Sequence, residues 1–269
     1  MCCLIRIKEH YIPHQISEEK FQPYKSYIVP ASSKLFGIVY SYYEFEVEEN
    51  YTMHYIPDAC PELGFIYGEN VFESLVGGPR TDIFNTNHQK NTTSFCVRFC
   101  IGEMKNICLL PMKNLVNKVL PLDSVIVNAK DFINEMQITN SFSERVNLVD
   151  HFLLGMYENT YLYQKSILNY CVTEILNTEG NILVSELAKK SGYSTRYINM
   201  IFSEFIGHSP KQLSNIIKFQ KSFYNYYENR EQSLSQLAWN HNYYDIAHMD
   251  RSYKTLTSYT PASLAAMLF

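Results

Sequence analysis

Apolar and polar positions change their period once along this chain of 269 residues, and the change divides it in two. From Tyr11 to about Leu122 the apolar residues come in short runs rich in β-branched and aromatic side chains, broken by Pro, Gly and Asn. LFGIVYSYYEFEV, ELGFIYG, FESLVGG and TSFCVRFCIG therefore predict strands joined by turns, enough of them for a small barrel or sandwich. From Asn128 the period becomes helical. AKDFINEMQI predicts a short helix, and Ser141 with Glu144 forms a capping box that opens another, with Val146, Val149, Phe152, Leu153 and Met156 on one face. A further stripe of Ile167, Leu168, Cys171, Val172, Ile175 and Leu176 stops near Gly180. Such stripes can close the first domain, form a dimer seam, or begin the second domain. Dimerisation through 141–158 is the secondary expectation.

Beyond Ile182 a pattern occurs twice. In ILVSELAKKSGYSTRYINMIFSEFIGHSP, the pair Leu187–Ala188, then Gly192, then Ser194 opening a second apolar-periodic run, has the spacing of a helix-turn-helix. The alanine is small where two helices cross, the glycine supplies a left-handed turn residue, and the serine caps the next helix. In SLSQLAWNHNYYDIAHMDRSYKTLTSYTP, Leu237–Ala238 repeats the first pair, Asn242 replaces the glycine, and Thr260–Pro261 repeats Ser209–Pro210 as a hydroxyl cap followed by proline. One copy alone fits a structural helical hairpin as readily as a DNA-binding unit. Two in tandem strengthen the second reading.

These residues resemble the DNA-binding domain of AraC/XylS-type bacterial transcription regulators, in which a long helix separates two helix-turn-helix units. Here that helix would begin at Pro210 and run through KQLSNIIKFQKSFYNYY, and YYDIAHMDRSYK is similar to the second recognition helix at Asp245, His248, Arg251, Tyr253 and Lys254. Three positions depart from the family pattern. Met200 stands where an arginine is usual, the second turn has no glycine, and Leu183 occupies a position that commonly carries a capping Ser or Thr. In the first half, YIPDACPEL and VRFCIG resemble two motifs of the cupin-like sensor domain that precedes such DNA-binding domains, with Ala59 in place of a glycine and Ile101 in place of a proline. The resemblance implies an α+β chain: a β-rich cupin-like barrel over 1–125, a helical connector over 126–160, and an all-α domain with tandem helix-turn-helix over 161–269. It implies a sequence-specific transcription regulator, an activator, controlled through its N-terminal domain. The partners implied are double-stranded promoter DNA, a small-molecule effector, RNA polymerase and a second copy of the chain.

A recognition helix turns its first turns to the major groove. In the first unit Ile198, Ile201, Phe202 and Phe205 make the buried face, which leaves Thr195, Arg196 and Asn199 outward. Arginine can grip guanine, asparagine can grip adenine, and threonine can touch a phosphate or a thymine methyl. In the second unit Ile246 and Met249 are candidates for thymine methyls, or else simply pack, and Arg251 and Lys254 are candidates for phosphates. Asp245 is read as a helix cap and His248 as a packing residue. Effector-binding candidates are Tyr40, Tyr42, Asp58, Glu62 and Arg98. An inward Arg98 demands a carboxylate partner, for which Asp58 is the candidate. A structural ion pair tying a loop to the barrel is the favoured reading there, over an anion site.

Charge weighs against strong non-specific DNA binding. Residues 166–269 carry nine Lys and Arg against eight Asp and Glu, whereas residues 1–165 carry fourteen against nineteen. A balance of only +1 needs base contacts and dimer avidity to supply affinity, and it is the best support for the rival reading of a protein-interaction module. A regulator without an effector, controlled by a protein partner, is the other alternative. An enzymatic cupin would hold metal through an H-x-H pair, and none occurs; His10, His14, His54 and His88 are isolated. We therefore expect no enzyme, metal or cofactor. Seven scattered cysteines without C-x-x-C argue against a disulfide framework or structural zinc, although Cys96, Cys100 and Cys108 lie close enough in sequence for a redox sensor. No run reaches membrane-span length, and the opening MCCLIRIKEHYIPH lacks a signal peptide's apolar core, so the cytoplasm is expected.

Overall fold

The computed structural model describes residues 11–15, 24–157 and 163–268, so that His10, Cys2, Cys3 and the expected domain boundary at Tyr161 lie outside the described residues. Among the described residues, eight strands form two antiparallel sheets. They are β1 (Tyr24–Ile28), β2 (Val39–Val47), β3 (Tyr51–Tyr55), β4 (Glu62–Gly68), β5 (Val71–Gly77), β6 (Phe84–His88), β7 (Thr92–Phe99) and β8 (Val119–Pro121). One sheet has the order β1-β2-β7-β4-β5-β8, and β3 pairs with β6 in the other. The expected barrel is thus realised as two sheets with a cavity between them.

Alternation along the strands sorts side chains onto two faces of the large sheet. Tyr42, Leu63, Phe65, Val76, Phe95, Val97 and Phe99 share a core with Phe132, Met136, Val149 and Leu153. On the opposite face Tyr43, Phe45, Val47 and Cys96 pack with Met53 of β3. The helices on the first face are α1 (Ala129–Gln137) and α2 (Phe142–Tyr157). Glu144 accepts from the Ser141 amide (3.2 Å) while Ser141 Oγ accepts from the Glu144 amide (3.3 Å), the reciprocal capping box that opens α2. Arg145 of α2 pairs with Glu44 of β2 in the interior and also donates to the Thr139 carbonyl at 3.2 Å, so this buried charge pair is well supplied with partners. Val146, Val149 and Leu153 of α2 are buried in the core of the β-rich domain, so this part of the stripe is covered within the chain.

Seven helices follow among the described residues: α3 (Tyr163–Asn177), α4 (Val184–Ser191), α5 (Thr195–Phe205), α6 (Pro210–Glu228), α7 (Leu234–Asn240), α8 (Ile246–Thr257) and α9 (Pro261–Leu268). Their core continues into the sheet domain, since Tyr11, Ile56, Ala59, Cys60 and Ile101 belong to the same cluster as Leu168, Phe202, Ile206 and Phe223. The approach is close. A Cβ on Gly207 (φ +84°) would lie 2.9 Å from the Met112 carbonyl and 2.8 Å from Val116. Lys105 pairs with Glu204 of α5 at 3.4 Å, and Lys165 pairs with the buried Glu103 at 2.6 Å. From α6, Gln220 Nε2 donates to the Pro57 carbonyl at 2.9 Å, its Oε1 accepts from the His14 amide, and the His14 ring stacks on Tyr224. No helix among the described residues is long and apolar enough to cross a membrane.

Candidate nucleic-acid interface and effector cavity

The first unit is α4 and α5. Gly192 ends α4 at φ +77°, donating to the Ala188 carbonyl, and Ser194 caps α5 by accepting from the Tyr197 amide at 3.3 Å. Leu183 cannot cap α4 with its side chain, so only half of a capping box remains, the Glu186 carboxylate accepting from the Leu183 amide at 3.1 Å. Ile198, Ile201, Phe202 and Phe205 are buried, as the periodicity requires. Thr195, Arg196, Asn199 and Met200 are exposed. Asn199 Nδ2 donates back to the Thr195 carbonyl at 2.7 Å, which holds its amide against the helix.

In the second unit Ser233 caps α7, and Asn242 takes the glycine's place at φ +56°. Asp245 accepts from the His248 amide at 2.6 Å and so acts as the N-cap of α8. His248 is exposed; its Nδ1 accepts from the Tyr244 amide at 3.2 Å, and its ring meets the Tyr243 ring edge-on. Ile246, Arg251 and Lys254 lie at the surface. Met249 is a correction. It is fully buried in the stripe with Tyr253 and Leu256, so it packs α8 and is out of reach of a base edge. The long helix α6 between the units starts with Ser209 and Pro210, and Ser209 and Gln212 form a complete capping box.

The cavity between the sheets has a volume of about 330 Å³. Asp58, Glu62 and Arg98 line it, while Tyr40 and Tyr42 do not. Tyr42 points into the helix-covered core, where its hydroxyl donates to Asp150 of α2. A bulge between Val39 and Ser41 interrupts the alternation at Tyr40, which is half-buried in the field of Cys60 and Arg98. Arg98 is paired, but chiefly with another carboxylate than expected. Its Nε lies 2.6 Å from Glu62 and 3.9 Å from Asp58. Asp58 is instead held by Gln15 Nε2 and the Cys60 amide, each at 2.9 Å. Burial pushes the Asp58 carboxyl above its ordinary range, with Arg98 pulling it back down.

Two groups escaped the sequence reading. Arg80, which follows Gly77, Gly78 and Pro79, is buried on the cavity wall with its guanidinium 3.5 Å from the centre of the Phe84 ring. Burial lowers its pKa to about 10. His208, in the turn between α5 and α6, is buried with no hydrogen bond to either ring nitrogen; burial lowers its pKa to about 4, the Arg80 backbone acting in the other direction. Cys60, Cys96, Cys100, Cys108 and Cys171 are buried, and Cys60 and Cys96 line the cavity. Among the described residues no three His, Cys, Asp or Glu side chains are placed to hold a metal.

A β-rich domain with an internal cavity, joined to two helix-turn-helix units about a long helix, is the domain order that the resemblance to AraC/XylS-type regulators implies. Residues 27–121 match a family described as a domain of unknown function (DUF6597). No curated protein matches the chain. The chain is similar to crystal structures of ToxT from Vibrio cholerae: at 10% identity and a TM-score of 0.42, over 91% of this chain and 98% of that one. A ToxT structure with a bound unsaturated fatty acid gives 11% identity and a TM-score of 0.41, over 83% of this chain and 94% of that one.

Proposed function

We propose that this chain is a sequence-specific DNA-binding transcription regulator of the AraC type, an activator controlled through its N-terminal domain. The observation that carries the reading is the tandem pair of recognition helices. Each of α5 and α8 is capped by its own side chain, anchored by an apolar stripe, and exposed along its other face. On α5 that face offers Thr195, Arg196 and Asn199 to base edges. On α8, Arg251 and Lys254 suit phosphates and Ile246 suits a thymine methyl. Promoter DNA is the partner, RNA polymerase the second one, and the inter-sheet cavity the place for a small effector. A homodimer would supply avidity that the weak positive charge does not. A protein-interaction module built on the helical repeats is the second reading. It is favoured by that +1 balance together with Trp239 and Tyr244, 83% and 91% exposed.

The test is binding of the purified protein to its own upstream DNA across a salt series, with Arg196→Ala and Asn199→Ala alongside. Selective binding should fall about 10- to 100-fold in Arg196→Ala, the worth of one good base contact. Salt-insensitive or absent binding by the folded protein and by its isolated 163–269 segment would leave the two units as a protein-binding surface.

A further inference from the structure

The two recognition helices carry opposite chemistry at matching positions. Counted from their caps, Ser194 and Asp245, Ile198 of α5 falls on Met249 of α8, Phe202 on Tyr253 and Phe205 on Leu256, and each of these side chains is buried. The same count lays Thr195 on Ile246, Arg196 on Ala247, Met200 on Arg251 and Ser203 on Lys254. On α5 the polar and charged groups Thr195 and Arg196 therefore lead, with the uncharged Met200 and Ser203 behind them. On α8 the order is reversed: Ile246 and Ala247 lead, and Arg251 and Lys254 follow, all of them exposed.

The turn before α8 enlarges this apolar tip. In the first unit the cap comes two residues after Gly192, whereas Asp245 comes three residues after Asn242, and the residue gained is Tyr244. Tyr244 is exposed beside the cap, its amide donates to His248 Nδ1 at 3.2 Å, and it lines one surface groove with Trp239, Ile246 and Ala247. Polar groups near the tip are engaged or withdrawn. Asp245 caps the helix, the His248 ring lies edge-on to Tyr243, and Asp250 is half-buried with its Oδ1 covered.

A recognition helix brings its first turn to the base edges, and the one apolar group there is the C5-methyl of thymine. An apolar tip over guanine, adenine or cytosine strips water from donors and acceptors without replacing it, whereas over thymine it buries a methyl group. Cations farther along the same helix suit the phosphates that wall the groove. We infer that the second unit reads its part of the operator through thymine methyls, with Tyr244, Ile246 and Ala247 as the specificity-determining residues, whereas the first unit reads by hydrogen bonds. This rests on the reading of the chain as a DNA-binding regulator.

The experiment measures affinity of the full chain for its own upstream DNA made with thymine and, separately, with uracil in place of every thymine. Uracil keeps the pairing edge and the phosphates and lacks only the methyl. Losing one buried methyl weakens binding about 4-fold, so two contacts should make the wild type bind uracil DNA about 15-fold more weakly. Tyr244→Ser with Ile246→Ser should bind thymine DNA more weakly and bring the ratio between the two DNAs below about 4-fold. Arg196→Ala should weaken binding to both and keep the wild-type ratio. Tyr244→Ser alone, at a fully exposed position, gives the same direction should the double variant not fold. A wild-type ratio near one, or a ratio that survives the loss of Tyr244 and Ile246, overturns the assignment. Selective binding that ignores the methyls defeats it alone and leaves the tip, with Trp239 across the groove, to a protein partner. Absence of selective binding to thymine DNA defeats the regulator reading and this one with it.

Discussion

The two helix-turn-helix units share a plan and differ in what surrounds them. In the first, the C-terminal end of α5 packs against the β-rich domain: Glu204 pairs with Lys105, and Gly207 sits against Met112 and Val116. In the second, α8 packs on α6, with the Tyr253 hydroxyl 2.7 Å from Ser222 and its ring edge-on to Phe219. The exposed Trp239 of α7 and Tyr244 of the turn belong to that unit. The first unit thus touches the β-rich domain directly, whereas α8 of the second packs on α6, which itself meets that domain at Pro57.

Two glycines break this comparison most strongly. Gly207→Ala forces a side chain into the Met112 carbonyl at a positive φ, and should cost roughly 2–4 kcal/mol in denaturant unfolding. Gly192→Ala, also at positive φ but with nothing within 4 Å of the new methyl, should cost only about 1 kcal/mol. Equal losses would mean that the interface with the β-rich domain adds nothing to the first unit.

Acid gives the next largest effect, again on the first unit. His208 has a folded pKa of about 4, below the ordinary 6.5. The unfolded chain therefore takes up a proton that the folded chain refuses, and stability is lost as pH falls from about 6.5 towards 4. The loss is at most ~3 kcal/mol. Burial places His14 at about 4 as well, on the same interface against α6. Hydrogen exchange at pH 7.5 and pH 5 should show protection falling first around Phe205–Ser209. Earlier loss in α7 and α8 would reverse the contrast.

The smallest effect sharpens it. Asn242 holds φ +56° in the turn where the first unit has glycine. Asn242→Gly should change unfolding free energy by only a few tenths of a kcal/mol, since both residues tolerate that conformation. A loss above about 1 kcal/mol would show that the asparagine side chain has a role of its own.

The helix-turn-helix pair was legible because its signals are local: a small residue, a turn residue and a cap at fixed spacing. Met249 was misread although the same periodicity contains it, for positions 249, 253 and 256 fall on one buried stripe. The partner of Arg98 was not legible. Pairing of β4 with β7 sets Glu62 directly opposite Arg98, and no local pattern announces which strands become neighbours. Tyr42 was lost to the same cause, since strand alternation fixes that Tyr42 and Tyr43 face apart but not which face holds the cavity. Arg80 is harder still. What singles it out is a missing partner, which only the folded arrangement can reveal.

The helix α6 has one more consequence, geometric rather than energetic. Its nineteen residues span about 28 Å at 1.5 Å per residue, somewhat less than one turn of DNA. Each residue also advances the helix by about 100° of rotation. Inserting one residue near its middle would lengthen the spacer only slightly, yet would swing α8 about a quarter-turn around the axis relative to α5. The helix is thus a phase-setting element, and its length in whole residues fixes whether both units can face the same side of a duplex.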